Sequence, residues 1–204
     1  MPDHNAPADT GFRDTGYLLI EGFLDEPLLT VAYRYAMMRA QLGHGSSDSQ
    51  VPGTPSFYGD PLMETLLEVA AATLEEITGL ELEPTYSYFR VYKQGDVLER
   101  HRDRPACEVS VSICLGLDLG TAGPEYCWPL HVIPAGNSGD SSPGVAIPCR
   151  PGDAVVYRGC EVWHWREALE GASQAQVFLH YVDRHGPNAA ERWDRRPALG
   201  LPRT

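Results

Sequence analysis

From Tyr86 onward the chain is a succession of short β-prone segments, roughly 86–93, 107–117, 128–133, 144–149, 154–158, 161–166 and 175–182, with Gly- and Pro-containing turns between them. Aromatic and β-branched side chains suit a pleated surface, and Gly and Pro punctuate it. Along the second segment Glu108, Ser110, Ser112 and Cys114 alternate with Val109, Val111, Ile113 and Leu115, which marks a strand with one polar and one apolar face. Short strands at this spacing fit a double-sheet jelly roll. Two helices precede them. Asp25 caps the first, Glu26-Pro27 suits its first turn, Leu28, Leu29, Ala32, Tyr35, Ala36 and Ala40 form its apolar stripe, and Gly43 ends it. Asp60-Pro61 opens the second, Leu62, Leu66, Leu67, Val69, Ala70, Leu74 and Ile77 face a core, and Gly79 stops it. Gly16 to Ile20 reads as a short strand. The fold class expected is α+β, mainly β: a cupin-like jelly roll, or double-stranded β-helix, backed by two N-terminal helices.

His101-x-Asp103 follows the strand Tyr86–Lys93 and the turn Gln94-Gly95-Asp96. On extended backbone, residues two apart point to one side, so an imidazole and a carboxylate converge. Such a pair is also found fully solvated on surface strands. A second imidazole would complete a 2-His-1-carboxylate facial triad, which leaves open positions and holds non-heme Fe(II) in oxygenases. His164, in Trp163-His164-Trp165-Arg166, lies about 60 residues beyond Asp103 and follows the turn Pro151-Gly152-Asp153. His180 is the second candidate for that distal position. It shares a side of the last strand with Gln174, Gln176 and Phe178, which also makes it a candidate pocket wall or substrate contact. Trp163 and Trp165 point away from His164's side and are expected to pack in the core.

In order and spacing, Tyr92, Gly95, His101-x-Asp103, Pro151-Gly152-Asp153, His164 and the last strand Gln174 to Asp183 resemble the Fe(II)/2-oxoglutarate-dependent dioxygenases, specifically the prolyl-4-hydroxylase-like branch. The resemblance spans roughly residues 10 to 183. It implies His101, Asp103 and His164 as catalytic metal ligands, with Fe(II), 2-oxoglutarate and O2 as cofactor and cosubstrates. It also implies decarboxylation of 2-oxoglutarate to succinate coupled to hydroxylation of an unactivated C–H bond. It puts Tyr92 and Leu130 against the cosubstrate and His131 facing away. The carboxylate at Asp103 separates the chain from halogenases of the superfamily, which carry a small residue there. The chain departs from the pattern at one point. The family's Arg or Lys for the distal carboxylate, about ten residues after the distal His, is here Gln174. Arg166, two residues after His164, points to the same side on a strand and is the candidate cation. Pairing of Arg166 with Glu167 or Glu170 at the surface is the competing arrangement, with Arg90, Lys93 and Arg104 as further cations.

Other classes are weighed against this one. The chain has 204 residues, one domain by length, with 1–10 and 184–204 expected as loosely packed tails. The net charge of −12 and pI near 4.9 argue against nucleic acid or an anionic membrane as a partner, because phosphate contacts need a basic face. Five cysteines, an odd number with no Cys-x-x-Cys spacing, argue against a zinc ribbon or disulfide framework, and a cytoplasmic location is expected. No P-loop, dinucleotide fingerprint or Gly-x-Ser-x-Gly occurs. The long loop from Gly43 to Gly59 is read either as a lid or as a plain connection. The substrate expected is a small or amino-acid-derived molecule. The alternatives are a prolyl-type protein hydroxylase, a non-oxidative cupin-like metalloprotein and a catalytically inactive binding module.

Overall fold

Both long helices form where their capping residues stand. The first, α2 (Glu26–Leu42), follows a six-residue helix α1 (Thr10–Thr15) and a strand β1 (Tyr17–Ile20). Asp25 accepts the Leu28 N–H at 3.0 Å, and Gly43 takes the left-handed conformation that closes the helix. Asp60 does the same for α3 (Pro61–Thr78) by accepting the Leu62 N–H at 3.1 Å. Its other oxygen receives Tyr35 Oη at 2.8 Å and Arg39 Nε at 3.2 Å, so one carboxylate both starts α3 and ties it to α2. A computed structural model provides these coordinates, and it describes residues 10–136 and 142–202.

The remaining strands are β2 (Ser56–Tyr58), β3 (Leu82–Lys93), β4 (Leu98–His101), β5 (Val109–Asp118), β6 (Leu130–Val132), β7 (Val145–Ile147), β8 (Ala154–Tyr157), β9 (His164–Arg166) and β10 (Ser173–Asp183). They form a larger antiparallel sheet in the order β1-β8-β5-β10-β3-β2 and a smaller one in the order β4-β9-β6-β7. The expected jelly roll is therefore observed. The apolar set of the central strands, including Phe89, Val111, Ile113, Val177 and Leu179, faces α2 and α3 and forms one dry core with Ala32, Ala36, Met63, Leu67 and Leu74. The alternate residues of the same strands look into the space between the sheets, and they are polar: Arg90 and Tyr92 on β3, Ser110 and Ser112 on β5, Gln174, Gln176 and His180 on β10. Burying that face requires internal hydrogen-bond partners or a bound polar ligand.

Two expectations are corrected, on the C-terminal tail and on the strand that carries His101. Residues 184–202 are packed rather than loose. Arg196 and Glu64, both almost fully buried, pair at 2.5 Å, and Arg196 also donates to the Thr85 carbonyl at 3.0 Å. Asp194 is buried as well, in a turn where Trp193, Asp194 and Arg195 all have positive φ. The expected 1–10 lead-in lies outside the described residues except for Thr10, where α1 begins. His101 ends a strand, β4, that the turn-like Gln94-Gly95-Asp96 had obscured. Trp163 and Trp165 lie on the outer side of the smaller sheet, under Arg102 and Arg100 (4.9 and 3.8 Å to the ring centroids), with His131 stacked on Trp165. Trp165 is buried there, as expected, and Trp163 is half-buried.

Candidate active site

β4 and β9 are antiparallel neighbours with His101 opposite His164, so the register of the smaller sheet brings the two imidazoles together, their centroids 4.2 Å apart. Asp103 lies just past β4 on a segment held by its own N–H, which donates to the Gly159 carbonyl at 2.9 Å. Its Oδ1 is 3.5 Å from Nε2 of each histidine, and the three candidate ligand atoms all lie within 4.8 Å of one another. Each imidazole is oriented by its far nitrogen. His101 Nδ1–H donates to the Glu99 carbonyl at 2.8 Å and His164 Nδ1–H to the Val162 carbonyl at 3.1 Å, which turns both Nε2 lone pairs inward. Burial pushes the Asp103 carboxyl up, but hydrogen bonding with His101 and His164 and the charges of His164 and His180 outweigh it and hold the group ionised well below the usual carboxylate range. Two borderline nitrogens and one hard oxygen, ionised and preoriented, fit a divalent transition metal such as Fe(II).

The support of Asp103 was not legible in the sequence. Ser110 Oγ–H donates to Asp103 Oδ2 at 2.9 Å, leaving Oδ1 to the histidines. Gly159 passes so close that an added Cβ would collide with Asp103 Oδ2 and the Cys107 carbonyl. Gln50, from the long loop, reaches the centre: its Nε2 is 3.1 Å from His101 Nε2, and its Oε1 accepts from Tyr88 Oη at 3.2 Å. The loop therefore covers the site. It is gathered around the buried Arg90, which donates to the Val51 and Thr54 carbonyls and pairs with Asp48 at 2.5 Å.

Deeper between the sheets lie Tyr92, Leu130, Arg166 and Gln174, all fully buried. Arg166 turns inward, away from Glu167 and Glu170. Its guanidinium lies 4.9 Å from the Trp128 ring, donates to the Trp128 carbonyl and reaches Ser112 Oγ at 3.4 Å. Among the described residues no carboxylate pairs with it. Arg90 is the contrasting case, a buried guanidinium whose charge Asp48 already meets. Three atoms here lack partners: Arg166 Nε, Tyr92 Oη and Gln174 Oε1. Gln174 Nε2 donates to Gln176 Oε1, and Gln176 Nε2 donates to Ser112 Oγ, each at 2.8 Å. That chain also works in reverse. With both amides turned, Ser112 donates and the Gln174 NH2 is freed for a new acceptor. Leu130 faces inward among Cys114, Val132 and Tyr157, and His131 faces out. Arg104, at the rim, pairs through both its terminal nitrogens with Asp194 at 2.7 and 2.9 Å and not with Glu108.

No protein-family model matches the chain, and no curated protein matches it. Solved structures do. A Pseudomonas putida prolyl-4-hydroxylase aligns at TM-score 0.64 with 19% identity, over 86% of this chain and 96% of the other. The epimerase SnoN in complex with Fe3+, alpha ketoglutarate and nogalamycin RO aligns at TM-score 0.66 with 16% identity, over 95% and 90%. EctD from S. alaskensis with bound Fe aligns at TM-score 0.65 with 16% identity, over 97% and 88%. The fold is their double-stranded β-helix. At these identities the likeness concerns the fold, and the chemistry has to be argued from the side chains. No helix among the described residues is long and apolar enough to cross a membrane.

Proposed function

We propose that this double-stranded β-helix protein is an Fe(II)- and 2-oxoglutarate-dependent oxygenase that hydroxylates an unactivated C–H bond of a small molecule. The observation that carries the reading is the convergence of the half-buried His101 and Asp103 with the buried His164, both imidazoles tied back through Nδ1. The unmatched guanidinium of Arg166 supports it. An unpaired buried cation is costly, and a carboxylate is the ligand that offsets the cost. Similar structures support it too, because SnoN was solved with Fe3+ and alpha ketoglutarate and EctD with Fe.

His101 Nε2, Asp103 Oδ1 and His164 Nε2 would hold the iron. When bound, iron supplies the oxidation of C–H by O2, coupled to conversion of 2-oxoglutarate into succinate and CO2. The remaining work belongs to the chain's own residues. Arg166 binds the far carboxylate of the cosubstrate with charge-assisted bonds, and Tyr92 Oη and the Gln174 amide complete the anchor. Leu130 and Trp128 keep that end dry. Ser110 fixes the rotation of the Asp103 carboxylate. Phe178, Tyr88 and Leu98 line the cavity beside the histidines, and the Gln50 loop closes over it. That cavity, about 250 Å³, adjoins an outer one of about 410 Å³ with which it shares Gln50, Tyr86, Tyr88 and Arg104. These are dimensions for a small molecule.

The test is anaerobic titration with Fe(II) and then 2-oxoglutarate, followed by O2. A weak visible charge-transfer band and formation of succinate are expected. Absence of both signals with wild type overturns the reading. Loss of iron binding in His180→Ala but not in His164→Ala would transfer the distal ligand to His180.

A further inference from the structure

His180 is buried to 3% exposure, and no step above uses it. Its Nδ1 lies 2.9 Å from Ser110 Oγ. Ser110 has one hydroxyl hydrogen, and its other neighbours, Asp103 Oδ2 at 2.9 Å and the Cys107 carbonyl at 3.2 Å, can only accept. Charge-assisted donation to the ionised Asp103 carboxylate is the strongest of its options, so Nδ1 carries a hydrogen and donates to Ser110. The tautomer of His180 is thereby fixed, and Nε2 is left with a bare lone pair. That atom is buried and has no partner, on a side chain that lines the cavity beside the metal ligands. A buried acceptor without a donor is costly, so it marks where a ligand donor belongs.

The surroundings specify the ligand further. Tyr86 and Tyr88 flank the imidazole at centroid distances of 4.6 and 6.1 Å, Phe178 stacks on Tyr88 at 4.6 Å and 15°, and Tyr58 stacks on Tyr86 at 5.0 Å. These aromatic faces run from the inner cavity into the outer one and suit a flat apolar body. The nearby acids are already engaged: Asp194 with Arg104 and Tyr58, Asp48 with Arg90, Asp103 with its histidines. Arg104, 4.6 Å from the Tyr86 ring centroid, adds positive charge at the rim. A cationic donor is therefore disfavoured, and a neutral one is accepted.

We propose that His180 Nε2 selects the substrate by accepting a hydrogen bond from a neutral hydroxyl on a flat, apolar ring compound held against Tyr86, Tyr88 and Phe178. Calling that compound the substrate rests on the oxygenase reading; the binding site itself does not. The probes are 2-naphthol, 2-methoxynaphthalene and 2-(aminomethyl)naphthalene, titrated calorimetrically into the anaerobic protein loaded with Fe(II) and 2-oxoglutarate, and again into protein without either. 2-Naphthol is expected to bind about tenfold more tightly than its methyl ether, the scale of one satisfied buried acceptor. His180→Phe should erase the ratio, and His180→Gln, which keeps an acceptor near the Nε2 position, should preserve much of it. Thermal melts establish that both variants fold. Equal affinity for naphthol and ether in wild type, survival of the ratio in His180→Phe, or tightest binding of the aminomethyl probe overturns the proposal. Failure of the oxygenase reading shows separately, as no charge-transfer band and no succinate, with the naphthol preference intact in the metal-free protein.

Discussion

Arg166 and Gly159 show how differently single residues serve the candidate site. Arg166 contributes a charge that nothing nearby neutralises, so its removal should be felt by the anionic cosubstrate. Arg166→Ala is expected to weaken 2-oxoglutarate binding at least about tenfold, equivalent to about 1.4 kcal/mol, with Fe(II) affinity nearly unchanged in an anaerobic titration. Undiminished 2-oxoglutarate affinity would point to Arg90 instead. Gly159 contributes only the absence of a side chain. Its Cα faces the back of Asp103, and Gly159→Ala should push the carboxylate off its histidines and weaken Fe(II) binding by about 10–100-fold, the range for loss of an outer support. Normal iron affinity in a folded Gly159→Ala protein would contradict that account. The two also differ in legibility. His101-x-Asp103, His164 and Arg166 were readable because charge, spacing and strand parity are local properties. Ser110 was visible only as one polar residue in an alternating strand. Gly159 carried no signal at all, because its role depends on a backbone approach between segments far apart in sequence.

Among the elements, the stretch from Gly43 to Gly59 was the one whose role the sequence left undecided. A Gly-, Ser- and Pro-rich composition gives no periodicity from which to read contacts. The structure shows a loop organised from outside by Arg90, which gathers the Val51 and Thr54 carbonyls and the Asp48 carboxylate while β2 pairs with β3 beyond it. Arg90→Met should free that loop. Amide hydrogen exchange across residues 46–56 is expected to rise sharply while the interior of β10 stays protected. Equal exchange in the two proteins would mean that the loop holds itself. The caps at Asp25, Gly43, Asp60 and Gly79 were readable because each is a short-range rule. β4 was not, because its pairing with β9 is set by tertiary contact and only four residues take part.

For the whole molecule, acid should act through the polar interior. Burial is the main cause lowering His180 to about 4 from an ordinary 6.5, and Arg104 and His164 lower it further against the opposing pull of Asp103 and Asp194. Tyr86, Tyr88, Cys107 and Ser110 complete its surroundings. Because the folded value lies below the unfolded one, the unfolded chain binds the proton first. Stability is full above about pH 6.5 and falls as pH drops toward 4, by about 3 kcal/mol from this group. Denaturant titrations between those limits should show a shallower loss in His180→Gln than in wild type. Parallel curves would remove His180 from the account.

The three converging ligand atoms come from places with different mechanical allegiance. His101 and His164 belong to the smaller sheet, while Asp103 is braced by Ser110 of the larger one. A cation shared by them would act as a clasp across the seam of the sandwich. Its binding energy would then resist prying the sheets apart, and the melting temperature would climb with the logarithm of free metal once that concentration exceeds the dissociation constant. Reciprocity gives the converse. A bulky substitution that wedges the seam open anywhere along its length should loosen the ion's grip, even at positions that never touch it.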